Sequence, residues 1–298
     1  MTSAKEPWTE TDDLPKILPR DRESHKGSFG RVLVIAGSQG MSGAAILAGS
    51  AALRAGAGLV TVASPASIQP IVAMGEPSYM TLPLPEDSAG RVTASAARII
   101  LSRPWDAIAI GPGLGRSHEV DSLMAETIQS VACPMVIDAD GLFSLARSPF
   151  LLQGLLGHAI LTPHLGEFQR LLGHDPEEPI DDPLSEVRFL QQQTQAVIVL
   201  KGHRSIVADR DHYRINTTGN PGMATGGTGD ILTGILVGLL GQGWSTCNAA
   251  RLGVHLHGMA GDIAATEKGE ISLIARDLLE SISKAFIQYQ NGSSQNSF

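Results

Sequence analysis

Short runs that are apolar at nearly every position recur along the chain, most of them rich in β-branched residues. They are Arg31–Ala36 (RVLVIA), Leu59–Ala63 (LVTVA), Asp106–Ile110 (DAIAI), Pro134–Asp138 (PMVID), Ala159–Leu161 (AIL) and Ala196–Leu200 (AVIVL). A strand with one wet face alternates apolar and polar residues, whereas a continuously apolar run is buried on both faces. Helical patterns lie between several of the runs, at Ala44–Ala55, Glu119–Ser130 and Leu184–Thr194. That alternation predicts a parallel sheet covered by helices. After Leu200 the pattern changes: Ser205–Ala208 and His212–Asn216 flank the turn Asp209-Arg210-Asp211 as a hairpin would. Helical stretches follow at Thr228–Leu240, Thr246–Ala265 and Ala275–Gln288. The expected class is α/β, three-layered αβα, with a central mostly parallel sheet and a late antiparallel patch.

No linker divides the chain and no fixed-period repeat is visible, so residues 15–288 read as a single domain without a separate lid. Residues 1–14 are polar and are expected to form a flexible arm, and residues 289–298 a disordered tail. The acidic stretch Gly173–Pro183 reads as a solvated surface connection.

Composition narrows the partners. Of 298 residues, 43% are apolar and 17% charged, which suits a folded core rather than a disordered chain. With 22 Lys and Arg against 30 Asp and Glu, the net charge of −8 leaves no electrostatic footprint for nucleic acid or an acidic membrane. Cys133 and Cys247 lie outside any CxxC pattern, which argues against a zinc site and a disulfide framework. The longest apolar stretch, Ile231–Leu240, is too short to span a bilayer and is interrupted by Gly234 and Gly238, whose spacing suggests close helix packing. The first twenty residues show no apolar core of a signal peptide, so a cytoplasmic location is expected.

In open α/β sheets, ligands bind beyond the carboxyl ends of the strands. Five of the runs end there in glycine or functional residues: GSQGMSG, GPGLG, DADG, TPHLGE and KGHRS. The densest signal is Asn216–Asp230, NTTGNPGMATGGTGD, which runs directly into ILTGILVGLL. Gly226, Gly227 and Gly229 are free to take backbone angles closed to other residues, and Thr228-Gly229-Asp230 opens a helix. The free N–H groups and dipole of a helix start form an anion site. Asp230 could be a simple N-cap, but capping does not require three glycines before it. A base beside an anion hole is what phosphoryl transfer needs. There is no P-loop, because no Gly-Lys dipeptide occurs, and Gly111-Pro-Gly113-Leu-Gly115 misses GxGxxG because position 116 is Arg.

These segments resemble the ribokinase-like superfamily. Lys26–Ser64, AIGPGLG (Ala109–Gly115), VIDADGL (Val136–Leu142), LTPHLGEFQRL (Leu161–Leu171) and NTTGNPGMATGGTGDILTG (Asn216–Gly234) are similar in particular to its ADP/ATP-dependent NAD(P)H-hydrate dehydratases. The resemblance spans roughly residues 15–288 and implies the form without the epimerase domain that many bacterial members carry. It implies repair of (S)-hydrated NADH or NADPH: phosphorylation of the C6 hydroxyl, then loss of phosphate. ADP is the favoured donor over ATP, Mg²⁺ the cofactor, and a homotetramer the assembly.

By the same resemblance, Asp230 is the base and contacts the hydrate together with Ala44, Gly115 and His164. Gly226, Gly227, Thr228 and Gly229 form the anion hole, and Lys201, Gly202, His203, Arg204 and Ser205 run along the nucleotide with Gly229. Glu167 stands where related kinases carry a glutamate that steers Mg²⁺ through water, with His164 in place of their asparagine. Asp138 and Asp140 read equally as helpers of the metal or as loop caps. His255 and His257, two apart on a helix, face different sides and read as packing and surface. A vitamin-precursor kinase of the hydroxyethylthiazole or hydroxymethylpyrimidine type is the alternative, although TPHLGEF and GNPGMA are not expected of it.

Overall fold

The computed structural model describes residues 8–155, 157–175 and 178–295. Its strands are β1 (Thr9–Glu10), β2 (Arg31–Ile35), β3 (Leu59–Pro65), β4 (Met80–Leu84), β5 (Ala107–Ile110), β6 (Met135–Ile137), β7 (Ala159–Leu161), β8 (Val197–Leu200), β9 (Ile206–Ala208) and β10 (His212–Ile215). They form one ten-stranded sheet in the order β1-β10-β9-β8-β7-β6-β5-β2-β3-β4. All neighbours from β8 through β4 are parallel, and β9 pairs antiparallel with both β8 and β10.

Helices α1 (Ser42–Arg54), α2 (Gln69–Gly75), α8 (Thr228–Gly241), α9 (Thr246–Lys268) and α10 (Ala275–Gln295) cover one face. The other face carries α3 (Ala96–Leu101), α4 (His118–Ser130), α5 (Asp140–Arg147), α6 (Leu165–Leu172) and α7 (Pro183–Thr194). The pleat divides each strand between the layers: Val32 and Val34 enter the first core, Leu33 and Ile35 the second, and all four are fully buried. A run apolar at every position is the direct consequence of two covered faces.

From β2 the chain steps outward to β3 and β4, then returns to build β5 on the other side of β2. The switch point therefore lies between β2 and β5, where an open sheet leaves a crevice. The loops there are joined by Gly37 N–H donating to the Pro112 carbonyl and Ser38 Oγ donating to the Gly113 carbonyl, each at 2.8 Å.

Both termini depart from expectation. From Trp8 onward the arm is anchored: β1 pairs in parallel with His212–Tyr213, and Trp8 packs on Tyr213 with ring centres 4.6 Å apart. Residues 1–7 lie outside the described residues. At the other end α10 continues to Gln295, and the Tyr289 hydroxyl donates to the Pro15 carbonyl at 3.1 Å. Of the expected disordered tail, only residues 296–298 lie outside the described residues.

Candidate active site

The first turn of α8 is set by Gly227, the N-cap, at φ +95°. A β-carbon there would also stand 2.6 Å from Leu47 Cδ1. Only Gly227 of the three glycines needs the left-handed region. Gly226 and Gly229 do not, which corrects the expectation that all three serve backbone freedom. At Gly229 a β-carbon would meet only Lys201 Nζ at 3.5 Å and Asp138 Oδ2 at 3.9 Å, both ordinary contact distances, so Gly229 borders that ion pair.

The turn is held from below. Thr228 Oγ1 lies 3.0 Å from the carbonyl oxygens of both Met223 and Thr225, between which its one proton is shared. His257 Nε2 lies 2.8 Å from the Thr228 carbonyl. Burial pushes His257 down to about 4, so the ring is neutral near pH 7 and Nε2–H is the donor. The preceding loop is clamped to α9 by Asp262, whose carboxylate accepts from Gly219 N–H at 2.9 Å and Asn220 Nδ2 at 3.0 Å. Asp262 escaped the sequence analysis, and His257, read there with His255 as packing and surface, is instead a part-buried partner of the first α8 turn.

Beneath α8, Asp138 directly follows β6 and is 1% exposed. Its Oδ1 accepts from Lys201 Nζ and its Oδ2 from Thr233 Oγ1, each at 2.7 Å. Lys201 follows β8, fixed by its N–H donating to the Pro163 carbonyl at 2.8 Å, and its ammonium lies 4.0 Å from Glu167 Oε2. Burial opposes the charge on Lys201, but Asp138, Glu167 and Asp230 outweigh it and lift its pKa above the usual lysine range. Asp230 moves the other way from a free carboxylate. Burial first, and then the negative Asp138, push it up to about 7, with Lys201 pulling only partly back.

Asp138 and Asp140 are aimed apart by Ala139, which sits at φ 49°, ψ −119° as the residue before α5. L-residues rarely adopt such a conformation, and it costs of order 1–3 kcal/mol. Asp140 caps a loop, as one of its two readings held: it accepts from Gly115 N–H at 2.9 Å and from Arg116 Nε at 3.0 Å. Asp138 serves instead as the counter-ion of Lys201. Gly111 (φ +133°) permits this packing, because a β-carbon there would fall 1.8 Å from the Asp138 carbonyl oxygen.

His164 caps α6. Its Nδ1 accepts from the N–H groups of Gly166 (3.1 Å) and Glu167 (3.3 Å), while Glu167 Oε2 accepts from His164 N–H at 2.9 Å. The pair is thus a reciprocal capping box, with His in the place usually held by Ser or Thr. Ala44 lies in the first turn of α1, against the Gly113 turn. Lys201 is in the central cluster. Gly202, His203 and Arg204 form an exposed turn beyond it, closed by Gly202 N–H donating to Ser205 Oγ at 3.2 Å.

A switch-point crevice, a glycine-capped helix start and a carboxylate poised beside a lysine define a ribokinase-like protein. The family model described as NAD(P)H-hydrate dehydratase (Carb_kinase) matches residues 32–284, and the chain belongs to that family. It is 47% identical over 267 residues to the bifunctional NAD(P)H-hydrate repair enzyme Nnr of Moorella thermoacetica, covering 88% of this chain and 50% of that protein. The chain thus spans about half the length of such bifunctional relatives. It is 34% identical over 286 residues to the ADP-dependent (S)-NAD(P)H-hydrate dehydratase of Bacillus subtilis, covering 95% of this chain and 98% of that one. The crystal structure of the ADP/ATP-dependent NAD(P)H-hydrate dehydratase from Bacillus subtilis, co-crystallised with ATP/Mg²⁺, has a TM-score of 0.77 at 29% identity, covering 92% and 95% of the two chains. These matches favour the dehydratase over the vitamin-precursor kinase.

Proposed function

We propose that the protein repairs hydrated NADH and NADPH, consuming a nucleoside diphosphate. The observation that carries this is the convergence of Asp230, the open amides of the first α8 turn and the Lys201–Asp138 pair at one strand-end crevice. The C6 hydroxyl of the hydrate is a poor leaving group. The ionised Asp230 takes its proton as the oxygen attacks the terminal phosphoryl group of ADP, releasing AMP. Amides of Gly226, Gly227, Thr228 and Gly229 meet the negative charge of the transferring group. The ring nitrogen's electron pair then expels phosphate, and loss of the C5 proton restores the double bond. Phosphorylation thus converts a kinase site into a dehydratase site.

In this reading Ala44, Gly115, His164 and Asp230 hold the hydrate, and Lys201–Ser205 with Gly229 hold the nucleotide. Among the described residues no three His, Cys, Asp or Glu side chains are grouped to hold a metal. That suits Mg²⁺, which keeps several waters and needs only one or two carboxylates beside substrate phosphates. Glu167 would hold it through water, and the ion would neutralise phosphate charge. No helix among the described residues is long and apolar enough to cross a membrane. A cytoplasmic homotetramer completes the proposal.

The test is to mix the protein with Mg²⁺, acid-prepared NADHX and either ADP or ATP, each freed of the other, and follow the NADH absorbance band. Recovery of NADH only with nucleotide is expected, with ADP at least tenfold better in kcat/KM than ATP, about 1.4 kcal/mol of transition-state discrimination. No recovery with either nucleotide would overturn the function. Equal or better use of ATP would overturn the donor assignment alone.

A further inference from the structure

Helix α9 seats the loop that leads into α8. His255, Gly258 and Asp262 follow i, i+3, i+7 spacing and share one face. Thr218 Oγ1 donates to the His255 carbonyl at 2.9 Å, and the Asp262 carboxylate clamps Gly219 and Asn220. A β-carbon on Gly258 would stand 2.2 Å from Thr218 Oγ1, and one on Gly261 2.2 Å from Met223 Sδ, so the loop lies directly on the helix. His257, one turn before Gly261, stands on the flank of that face and reaches past the loop to α8, with Nε2 2.8 Å from the Thr228 carbonyl oxygen. A carbonyl only accepts, so Nε2 carries the proton. Thr228 is the first residue of α8, and its carbonyl already faces the helix's own i+4 donor. The histidine therefore supplies a second donor to an oxygen that does not need one to be satisfied. No side chain caps this turn, so its amides stay free for a ligand.

We infer that His257 is a positioning residue for phosphoryl transfer, holding and polarising the Thr228–Gly229 peptide whose N–H meets the transferring group. The inference rests on the proposed function, which places that group at the amides of the first α8 turn. The carbonyl oxygen and amide nitrogen of one peptide share a delocalised π-system. A donor at the oxygen draws electron density from the nitrogen and makes its N–H a stronger donor in turn. For the Thr228 carbonyl the nitrogen concerned belongs to Gly229. Gly229 borders Lys201 Nζ and Asp138 Oδ2, so the strengthened N–H sits beside the ion pair and next to Asp230. The gain is greatest where negative charge develops, so it favours the transition state over bound nucleotide. The ring also fixes the peptide plane, which keeps the N–H aimed before the reaction begins. Burial keeps the ring neutral near pH 7, so it donates without placing a second cation near Lys201.

The test compares wild type with His257→Leu, His257→Asn and His257→Gln, each first checked by its melting temperature. Leucine removes the donor and asparagine is too short to reach, whereas glutamine carries an N–H nearly as far from the backbone as Nε2. Losing an anion-hole donor outright costs ~10²–10³ in kcat, so weakening one through its peptide is expected to lower kcat about tenfold in the leucine and asparagine variants. KM for NADHX and KM for ADP should stay within about twofold, the mark of an interaction made only in the transition state. Glutamine should recover most of the loss. A second readout needs no turnover. Thr-Gly peptides occur four times, beginning at Thr218, Thr225, Thr228 and Thr233, so labelling threonine carbonyls with ¹³C and glycine nitrogens with ¹⁵N singles out four amide resonances. That of Gly229 should move upfield in the leucine and asparagine variants and return in glutamine, while that of Gly234 stays in place. If the leucine variant does not fold, the asparagine and glutamine pair decides. Wild-type kcat in the folded variants would overturn the inference, as would equal losses in all of them or a Gly229 resonance indifferent to the substitutions. A raised KM for ADP at unchanged kcat would overturn it too. A wild type that repairs no hydrate, but whose Gly229 resonance still answers to position 257, would refute the function and leave the polarised peptide standing.

Discussion

Asp230 is a carboxyl group whose surroundings work against its charge, and that single balance links chemistry to stability. With a pKa lifted to about 7 by burial and by Asp138, it exchanges protons readily near neutrality, as a general base should. The ionised form is the reactive one, so kcat/KM for the hydrate is expected to rise with pH through about 7 and level off above it. Asp230→Asn should lose ~10²–10⁴ in kcat while still binding nucleotide, measured by single-turnover assay and calorimetry. The same variant should be more stable than wild type at alkaline pH. Between the unfolded pKa near 3.8 and the folded value near 7, the native state binds more protons than the unfolded state. Wild-type stability therefore falls as pH rises through that window, and asparagine removes the fall. Melting curves at pH 4 and pH 8 should show a gain for Asp230→Asn only at the higher pH. A variant that keeps wild-type turnover, or one less stable at pH 8, would contradict this account.

Helix α8 does two jobs with glycines, and they separate by position. Toward its carboxyl end Gly234 and Gly238 let the α1 backbone approach, as the sequence spacing suggests: a β-carbon would lie 2.2 Å from the Ala48 carbonyl oxygen and 2.8 Å from that of Ala52. Backbone atoms cannot yield as a side chain can, so Gly234→Val is expected to cost about 3 kcal/mol or more. At the amino end Gly229 meets no backbone atom, only the ends of Lys201 and Asp138. Gly229→Val should fold with little change in melting temperature and lose nucleotide affinity at least tenfold by calorimetry. If Gly229→Val instead unfolds like Gly234→Val, or binds nucleotide normally, the division of labour fails.

What the chain discloses in advance follows the same physics. Core strands buried on both faces declare themselves as apolar runs, and β2, β5 and β8 lie within the expected stretches. Edge strands do not: β4 (MTLPL) is part-exposed and contains Pro83, and β1 has only two residues. Asp230 and Lys201 were marked by their motifs. The Asp138 ion pair, the His257 contact with Thr228 and the Asp262 clamp join residues 63, 29 and 42 or 43 positions apart, and no local spacing encodes them.

The two edges of the sheet are protected by different means, and this gives the N-terminal segment a purpose. Strand edges present unpaired N–H and C=O groups on which other chains can assemble. On the β4 edge Pro83 removes a donor, a common edge device. Strand β10 (HYRI) has no proline, and β1 covers it instead, with Thr11 N–H donating to the Tyr213 carbonyl at 2.8 Å. Trp8 fastens the strap. Its ring packs on Tyr213, Nε1–H donates to the Asp209 carbonyl at 3.1 Å, and the Arg188 guanidinium lies 5.4 Å from its ring centre. Asp209 also pairs with Arg251 and accepts from Cys247 Sγ, so the strap ends on the element that ties the hairpin to α9. Trp8→Ala is therefore expected to destabilise by about 2 kcal/mol, since a large part-buried ring is lost, or roughly 3 °C in melting temperature for a chain of 298 residues. Deleting residues 1–10 should cost at least as much and bare β10, raising light scattering on warming. The catalytic constants measured well below the transition should stay near wild type, because β10 is four strands removed from β6 and its Asp138. An unchanged melting temperature with no added scattering would show that the β10 edge needs no cover, and lost activity in a fully folded deletion would tie the arm to the site instead.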